Sequence, residues 1–153
     1  GGLLKAQGKL EEAEVLFRRA LEGRERVLGV DHPKTLFSVN NLGSLLQDQG
    51  KLEEAEVLYR RALEGRERVL GVDHPDTLTS MYNLADLLEQ KGDLSSAEPF
   101  AHRSLEGFAS RNMTTDVKDG VEQLSDILRR QNKMEEATAL EKMYFPCSGE
   151  KKK

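Results

Sequence analysis

Gly8 to Pro33 reads GKLEEAEVLFRRALEGRERVLGVDHP, and Gly50 to Pro75 reads GKLEEAEVLYRRALEGRERVLGVDHP. The two stretches differ only at Phe17 and Tyr59, and they stand 42 residues apart. A more diverged copy continues at the same spacing, with Gly92-Asp93-Leu94 and Ala97 matching Gly50-Lys51-Leu52 and Ala55. A fourth copy is shifted by 40, since Met134-Glu135-Glu136-Ala137 answers Leu94-Ser95-Ser96-Ala97. Self-similarity at a fixed period of this size marks a repeat architecture, in which each unit must stack on its neighbours to bury a core.

Within a unit the apolar residues follow helical spacing. Val39, Leu42, Gly43 and Leu46 fall at i, i+3, i+4 and i+7, which predicts a first helix with one buried stripe. Leu52, Ala55, Tyr59, Ala62 and Leu63 predict a second. Gly50 can take the left-handed conformation that ends the first helix. Gly43, Ala55 and Ala62 are small enough to let paired helices approach closely, with Phe17 or Tyr59 filling the volume beside them. The Asp-His-Pro-x-Thr segments, Asp31 to Thr35 and Asp73 to Thr77, read as helix starts. Proline suits a first helical turn, and Asp31, His32 and Thr35 can offer side-chain acceptors to its free N–H groups. Gly23, Gly65 and Gly107 interrupt the long second helices, where close packing against the following unit is expected.

Composition agrees. Charged residues make up 33% of the chain and apolar ones 37%, a balance suited to helices that bury one face each. Aromatics are 5% and Trp is absent, as in helices packed through Leu and Ala. A net charge of −4 argues against nucleic acid as a partner, and no apolar run reaches membrane-spanning length. The single Cys147 gives neither a disulfide framework nor a Cys-based metal site, and the expected setting is cytoplasmic. His32, His74 and His102 lack partners at metal-ligand or triad spacing, and no phosphate-binding loop is present. No metal, no cofactor and no catalytic activity are therefore expected. The Glu-Glu-Ala-Glu clusters and Arg-Arg pairs read as a solvated face braced by i,i+4 ion pairs.

The run Asn40-Asn41-Leu42-Gly43, Gln49-Gly50-Lys51-Leu52-Glu53-Glu54-Ala55-Glu56, Tyr59-Arg60-Arg61-Ala62-Leu63 and Gly71-Val72-Asp73-His74-Pro75 resembles the 42-residue tetratricopeptide repeats of kinesin light chains. That resemblance implies an all-α fold, a right-handed α-solenoid of stacked antiparallel helix hairpins. It also implies second helices lengthened by about two turns, with first helices lining a concave groove and second helices forming the convex back. The expected division is a truncated first repeat over 1–30 (the end of a first helix, then a second helix), a second repeat over 31–72 and a third over 73–112. A diverged capping repeat would follow over 113–146, then a disordered tail over 147–153. Gly1 aligns with Gly43, so the chain reads as starting in mid-helix, with an open apolar edge around Leu3, Leu4 and Val15.

The function the resemblance implies is a non-catalytic scaffold that binds a protein or peptide segment in the groove. Alternatives are the regulatory array of a multidomain signalling ATPase and a cargo adaptor of the kinesin light chain type. On the groove side of the first helices the pattern places Phe37, Asn41 and Ser44, then Thr79, Asn83 and Asp86, then Asp119, Gln123 and Asp126. Asn41, Asn83 and Gln123 read as a ladder of amides suited to an extended peptide backbone. In the family, asparagine at that place contacts bound peptide. Asp86, Asp119, Glu122 and Asp126 point to a ligand with Lys or Arg at one end, with Tyr82 and Phe37 as apolar contacts. Oligomeric state is left open by the sequence.

Overall fold

The computed structural model describes residues 2–146, with side chains from residue 5 onward. Cys147, the lysine-rich tail, and the side chains of Leu3 and Leu4 lie outside the described residues. Among the described residues there are seven helices and no strand: α1 (Gly2–Leu28), α2 (Pro33–Asp48), α3 (Leu52–Leu70), α4 (Pro75–Gln90), α5 (Leu94–Ser110), α6 (Thr114–Arg130) and α7 (Met134–Tyr144). They stack as antiparallel hairpins α2/α3, α4/α5 and α6/α7, with α1 packed on α2. One apolar core runs through the stack from Leu21 to Ala137.

The helix starts are built as the Asp-His-Pro pattern suggests, with a change of roles. His32 and His74 are the N-caps, each accepting through Nδ1 from the backbone N–H two residues on, at 3.1 Å from Lys34 and 3.0 Å from Asp76. Thr35 does not cap. Its hydroxyl donates to the Gly29 carbonyl at 2.7 Å, and Thr77 does the same to Gly71, tying the new helix to the end of the old one. Asp31 instead pairs with Arg68 of the next unit at 2.9 Å.

The hairpin corners share one geometry. At Gly50 the backbone takes φ of 78°, and Lys51 N–H reaches back to the Leu46 carbonyl at 2.9 Å. That bond closes the orphan carbonyls of the helix end. The later corners at Asn112 and Asn132 do this with asparagine at φ 56° and 62°. The α5–α6 connection thus abandons the proline start. A 17-residue α5 replaces the 19-residue α3, which shortens the spacing there. The first helices α2 and α4 are already 16 residues long. The second helices are therefore longer by less than the two turns expected, and the added length of the repeat is shared.

Other expectations need correcting. The first unit is no stub followed by a second helix, because α1 runs unbroken through Gly8 for 27 residues. The few residues ahead of Gly8 are too short to fold back as a helix of their own, so helical propensity carries on through the glycine. The in-helix glycines do face close neighbours, but within their own hairpin rather than in the following unit. A Cβ on Gly65 would stand 2.5 Å from Leu36, and one on Gly107 2.3 Å from Leu78. Gly23 has nothing within 4 Å. Finally, Val15 marks no special edge: it is 58% exposed, and its counterpart Val57 in the complete second unit is 66% exposed. The face of α1 that is opened lies at Phe17, 39% exposed where Tyr59 is 2%.

Candidate peptide-binding groove

The first helices α2, α4 and α6 lie side by side, and polar side chains lock them together. Gln47 is the main bolt between the first two. Its Nε2 donates to Asp86 Oδ2 and Gln90 Oε1, both at 2.9 Å. Its Oε1 accepts from the Tyr59 hydroxyl at 2.9 Å. Burial pushes the Tyr59 phenol up to about 12, so it remains a donor across ordinary pH. Between α4 and α6 the corresponding positions are Glu89 and Arg130, which meet at 3.4 Å, with a further bond from Arg130 to the Glu89 carbonyl at 3.2 Å.

Four of the residues singled out from the sequence come together here. Tyr82, Asp86, Gln123 and Asp126 line a cleft of about 410 Å³ between α4 and α6, with Glu89, Gln90, Asp119, Glu122 and Arg130 completing the wall. Five carboxylates, from Asp86, Glu89, Asp119, Glu122 and Asp126, face one cation, Arg130. The field is felt by the cleft's own groups. Tyr82 is held above its usual range by burial and by the charges of Asp119, Asp86, Glu122 and Glu89. Glu89 is raised by burial first, with Asp86 and Asp126 adding to the effect and Arg130 opposing it. Such a cleft attracts a cation at short range, because salt screens charges beyond about 8 Å at physiological ionic strength.

The amide ladder is engaged differently from its expected free form. Gln123 is only 5% exposed, and its Nε2 donates to the Tyr82 carbonyl at 3.0 Å. It ties α6 to α4 rather than presenting an amide to the groove. Asn83 donates to Asn40 Oδ1 over a long 3.4 Å. Thr79 turns its hydroxyl onto the Pro75 carbonyl at 3.0 Å, on its own helix. Phe37 and Asn41 line a separate hollow of about 170 Å³ with Phe17, Ala20, Arg24 and Ser38, at the other end of the array. Ser44 is exposed on α2 and lines neither hollow. Glu89, Gln90 and Arg130 are wall residues that the sequence reading does not single out. Continuing the stripes Tyr82–Asp86 and Asp119–Gln123–Asp126 by one more turn would find them.

The convex side carries a second periodic feature. Glu14, Glu56 and Glu98, one per second helix, each receive a lysine from the next unit: Lys51 at 3.0 Å, Lys91, and Lys133 at 3.0 Å. Hydrogen bonds from Lys51 hold Glu14 below its usual range, and those from Lys91 do the same for Glu56. Glu98, which burial alone would raise, is held down by Gln131 and Lys133. Among the described residues no group of three or more His, Cys, Asp or Glu side chains is placed to hold a metal ion. Nor is any helix among them long and apolar enough to cross a membrane.

Residues 1–56 and 36–110 match the tetratricopeptide repeat family. Among solved structures, a putative kinesin light chain of Podosopora anserina with nearly identical TPR-like repeats superposes with a TM-score of 0.85 at 20% identity, over 95% of this chain and 70% of that one. A variant of that protein gives 0.75 at 21% identity, over 92% and 67%. BtubC (BKLC) from P. vanneervenii gives 0.81 at 22% identity over 90% of this chain, which spans only 56% of the length of BtubC. No curated protein matches the sequence. At these identities the structural likeness is one of fold. The chain belongs to the tetratricopeptide repeat family, whose helix pairs build protein–protein interaction scaffolds, and it folds as kinesin light chain-like arrays do.

Proposed function

We infer that the chain holds an extended peptide along its first helices, with a lysine or arginine of that peptide seated between α4 and α6. The observation that carries this reading is the cleft of five carboxylates around Tyr82, balanced only by Arg130. Arg130 is already bonded to Glu89, which leaves Asp86, Asp119, Glu122 and Asp126 to receive a ligand cation. The Tyr82 ring, half-buried, offers an apolar floor for the methylene stem. Asn83, with its long bond to Asn40, is the amide best able to exchange that partner for a peptide backbone group. Gln123 supports the wall instead. Phe37, Asn41, Ser44 and Thr79 extend the contact surface along α2 and α4 toward the other end.

The wider setting that fits the fold likeness is a cargo adaptor of the kinesin light chain type, and the regulatory array of a signalling ATPase would use the same groove. The test is fluorescence anisotropy with labelled extended peptides carrying Lys or Arg, compared with their Ala and Glu versions. Basic peptides are expected to bind more tightly, and less so as salt rises. Replacing Asp86 and Asp126 together with Asn should weaken them about tenfold or more, on the scale of two charge-assisted contacts. Equal binding of basic and acidic peptides would overturn the reading.

A further inference from the structure

The angle between α1 and α2 is open, and the molecule itself shows what fills such an angle. One repeat later, the equivalent angle between α3 and α4 holds a helix, namely α2. There Leu36 lies on Gly65, and seven residues on, Gly43 lies on the Tyr59 ring, 2.9 Å from where its Cβ would be. Four residues further, Gln47 bonds the Tyr59 hydroxyl. Asn40 meets Asn83 on the far wall. In the third unit Leu78 lies on Gly107 in the same way. The seat on α1 has the same residues in the same order: Ala13, Phe17, Ala20 and Gly23 stand where Ala55, Tyr59, Ala62 and Gly65 stand. Ala55, Tyr59 and Ala62 are covered to 2% exposure or less, whereas Phe17 and Ala20 are exposed and Gly23 faces open space.

Two substitutions distinguish this seat from its covered copy, and both make it more apolar. Phe17 replaces Tyr59, which removes the hydroxyl that bonds Gln47. Phe37, 54% exposed, stands on the other wall where α4 has Thr79. The hollow between the walls, lined by Phe17, Ala20, Phe37 and Asn41, is therefore a copy of the α2 seat from which one polar requirement has been deleted.

We propose that the α1–α2 angle docks one amphipathic helix of α2 type, supplied by another polypeptide. Its leucine sits over Gly23, a glycine or alanine seven residues later lies on Phe17, and an apolar side chain four residues beyond that takes the place of Gln47. This surface is separate from the acidic cleft, at the other end of the array, and does not depend on a basic peptide binding there.

The test uses the full chain and a labelled synthetic peptide with the sequence of residues 33–49, in its natural form and with Gln47→Leu. Both are expected to bind saturably, one peptide per chain, with the Gln47→Leu form about three- to tenfold tighter because no acceptor is buried without its donor. Phe17→Tyr in the chain should reverse that preference by restoring the hydroxyl. Ala20→Arg, at an exposed helical position that leaves helicity by circular dichroism unchanged, should abolish binding. Gly43→Leu in the peptide should do likewise. Absence of saturable binding by either peptide would overturn the proposal, as would binding that Ala20→Arg leaves intact. Self-association of the chain that Ala20→Arg removes, with no peptide bound, would also overturn it and assign the face to a second copy.

Discussion

The joint between α3 and α4 and the joint between α5 and α6 occupy the same place in successive repeats and are held by opposite chemistry. In the first, Arg66 is 5% exposed and bonds the Ser80 hydroxyl at 2.7 Å and the Asp76 carbonyl at 3.1 Å. Burial lowers its pKa, and no carboxylate bonds it there. In the second, the equivalent residue is Phe108, 1% exposed, and Ser80 is answered by Gly120. A buried guanidinium gains little net free energy, because desolvation offsets most of its bonds, but those bonds fix angle and register. A buried ring stabilises through area and leaves register to shape. The α1–α2 joint repeats the polar version, with Arg24 on Ser38 at 2.6 Å and on the Lys34 carbonyl at 3.0 Å. The molecule therefore passes from register-holding joints at its repetitive end to a sealing joint at its diverged end.

This contrast can be broken most severely at the sealing joint. Phe108→Ala should cost about 3–5 kcal/mol, the range for a fully buried aromatic, and hydrogen exchange should show α6 and α7 losing protection first. Next comes the polar joint. Arg66→Ala leaves the Ser80 hydroxyl and the Asp76 carbonyl short of a partner, at about 1–3 kcal/mol in urea denaturation. Arg66→Phe combined with Ser80→Gly should be more stable than Arg66→Ala, since it transplants the apolar joint; a double variant no better than the single would refute the equivalence.

The glycines give a smaller effect that divides the chain by end. Gly107→Ala, driven 2.3 Å from Leu78, should destabilise by about 1–3 kcal/mol, and Gly65→Ala similarly. Gly23→Ala, facing open space, should instead stabilise α1 by about 0.5–1 kcal/mol. The smallest effect is acid sensitivity. Glu14 and Glu56 have folded pKa values below their ordinary 4.5. Their contribution is present above that value and is lost as pH falls through the lowered folded values. Thermal melts should show this loss below pH 4.5, reduced when Lys51 and Lys91 are replaced by Met.

The fold is legible in the sequence because near-identical copies leave no freedom in period, helix assignment or corner position. The groove is less legible, for reasons that particular residues expose. Periodicity says which side chains share a face, but the neighbour on either side lies one repeat away. Gly65 and Gly107 thus read correctly as close-packed, yet their partners lie in their own hairpins. Phe37 and Asn41 share a stripe with Ser44, yet they border the open angle beside α1, because that angle depends on which helix lies there. Gln123 aligns with Asn83, but its longer side chain reaches the Tyr82 carbonyl and is buried. Thr35 and Thr77 read as acceptors because a hydroxyl does both jobs, and only the neighbouring carbonyls of Gly29 and Gly71 decide which.

The threonine bonds at Gly29 and Gly71 have one more consequence when taken with the arginine bonds at Ser38 and Ser80. The unit spanning 31–72 meets its predecessor and its successor through the same bonds, Thr35 and Arg24 on one side, Thr77 and Arg66 on the other. Its leading and trailing edges are interchangeable, like a tile that fits its own copy. Recombination between the matching gene segments can add or delete such a unit without leaving a mismatched seam. Array length is then free to drift during evolution, while the diverged helices from α5 onward, whose seam follows another rule, stay last in line.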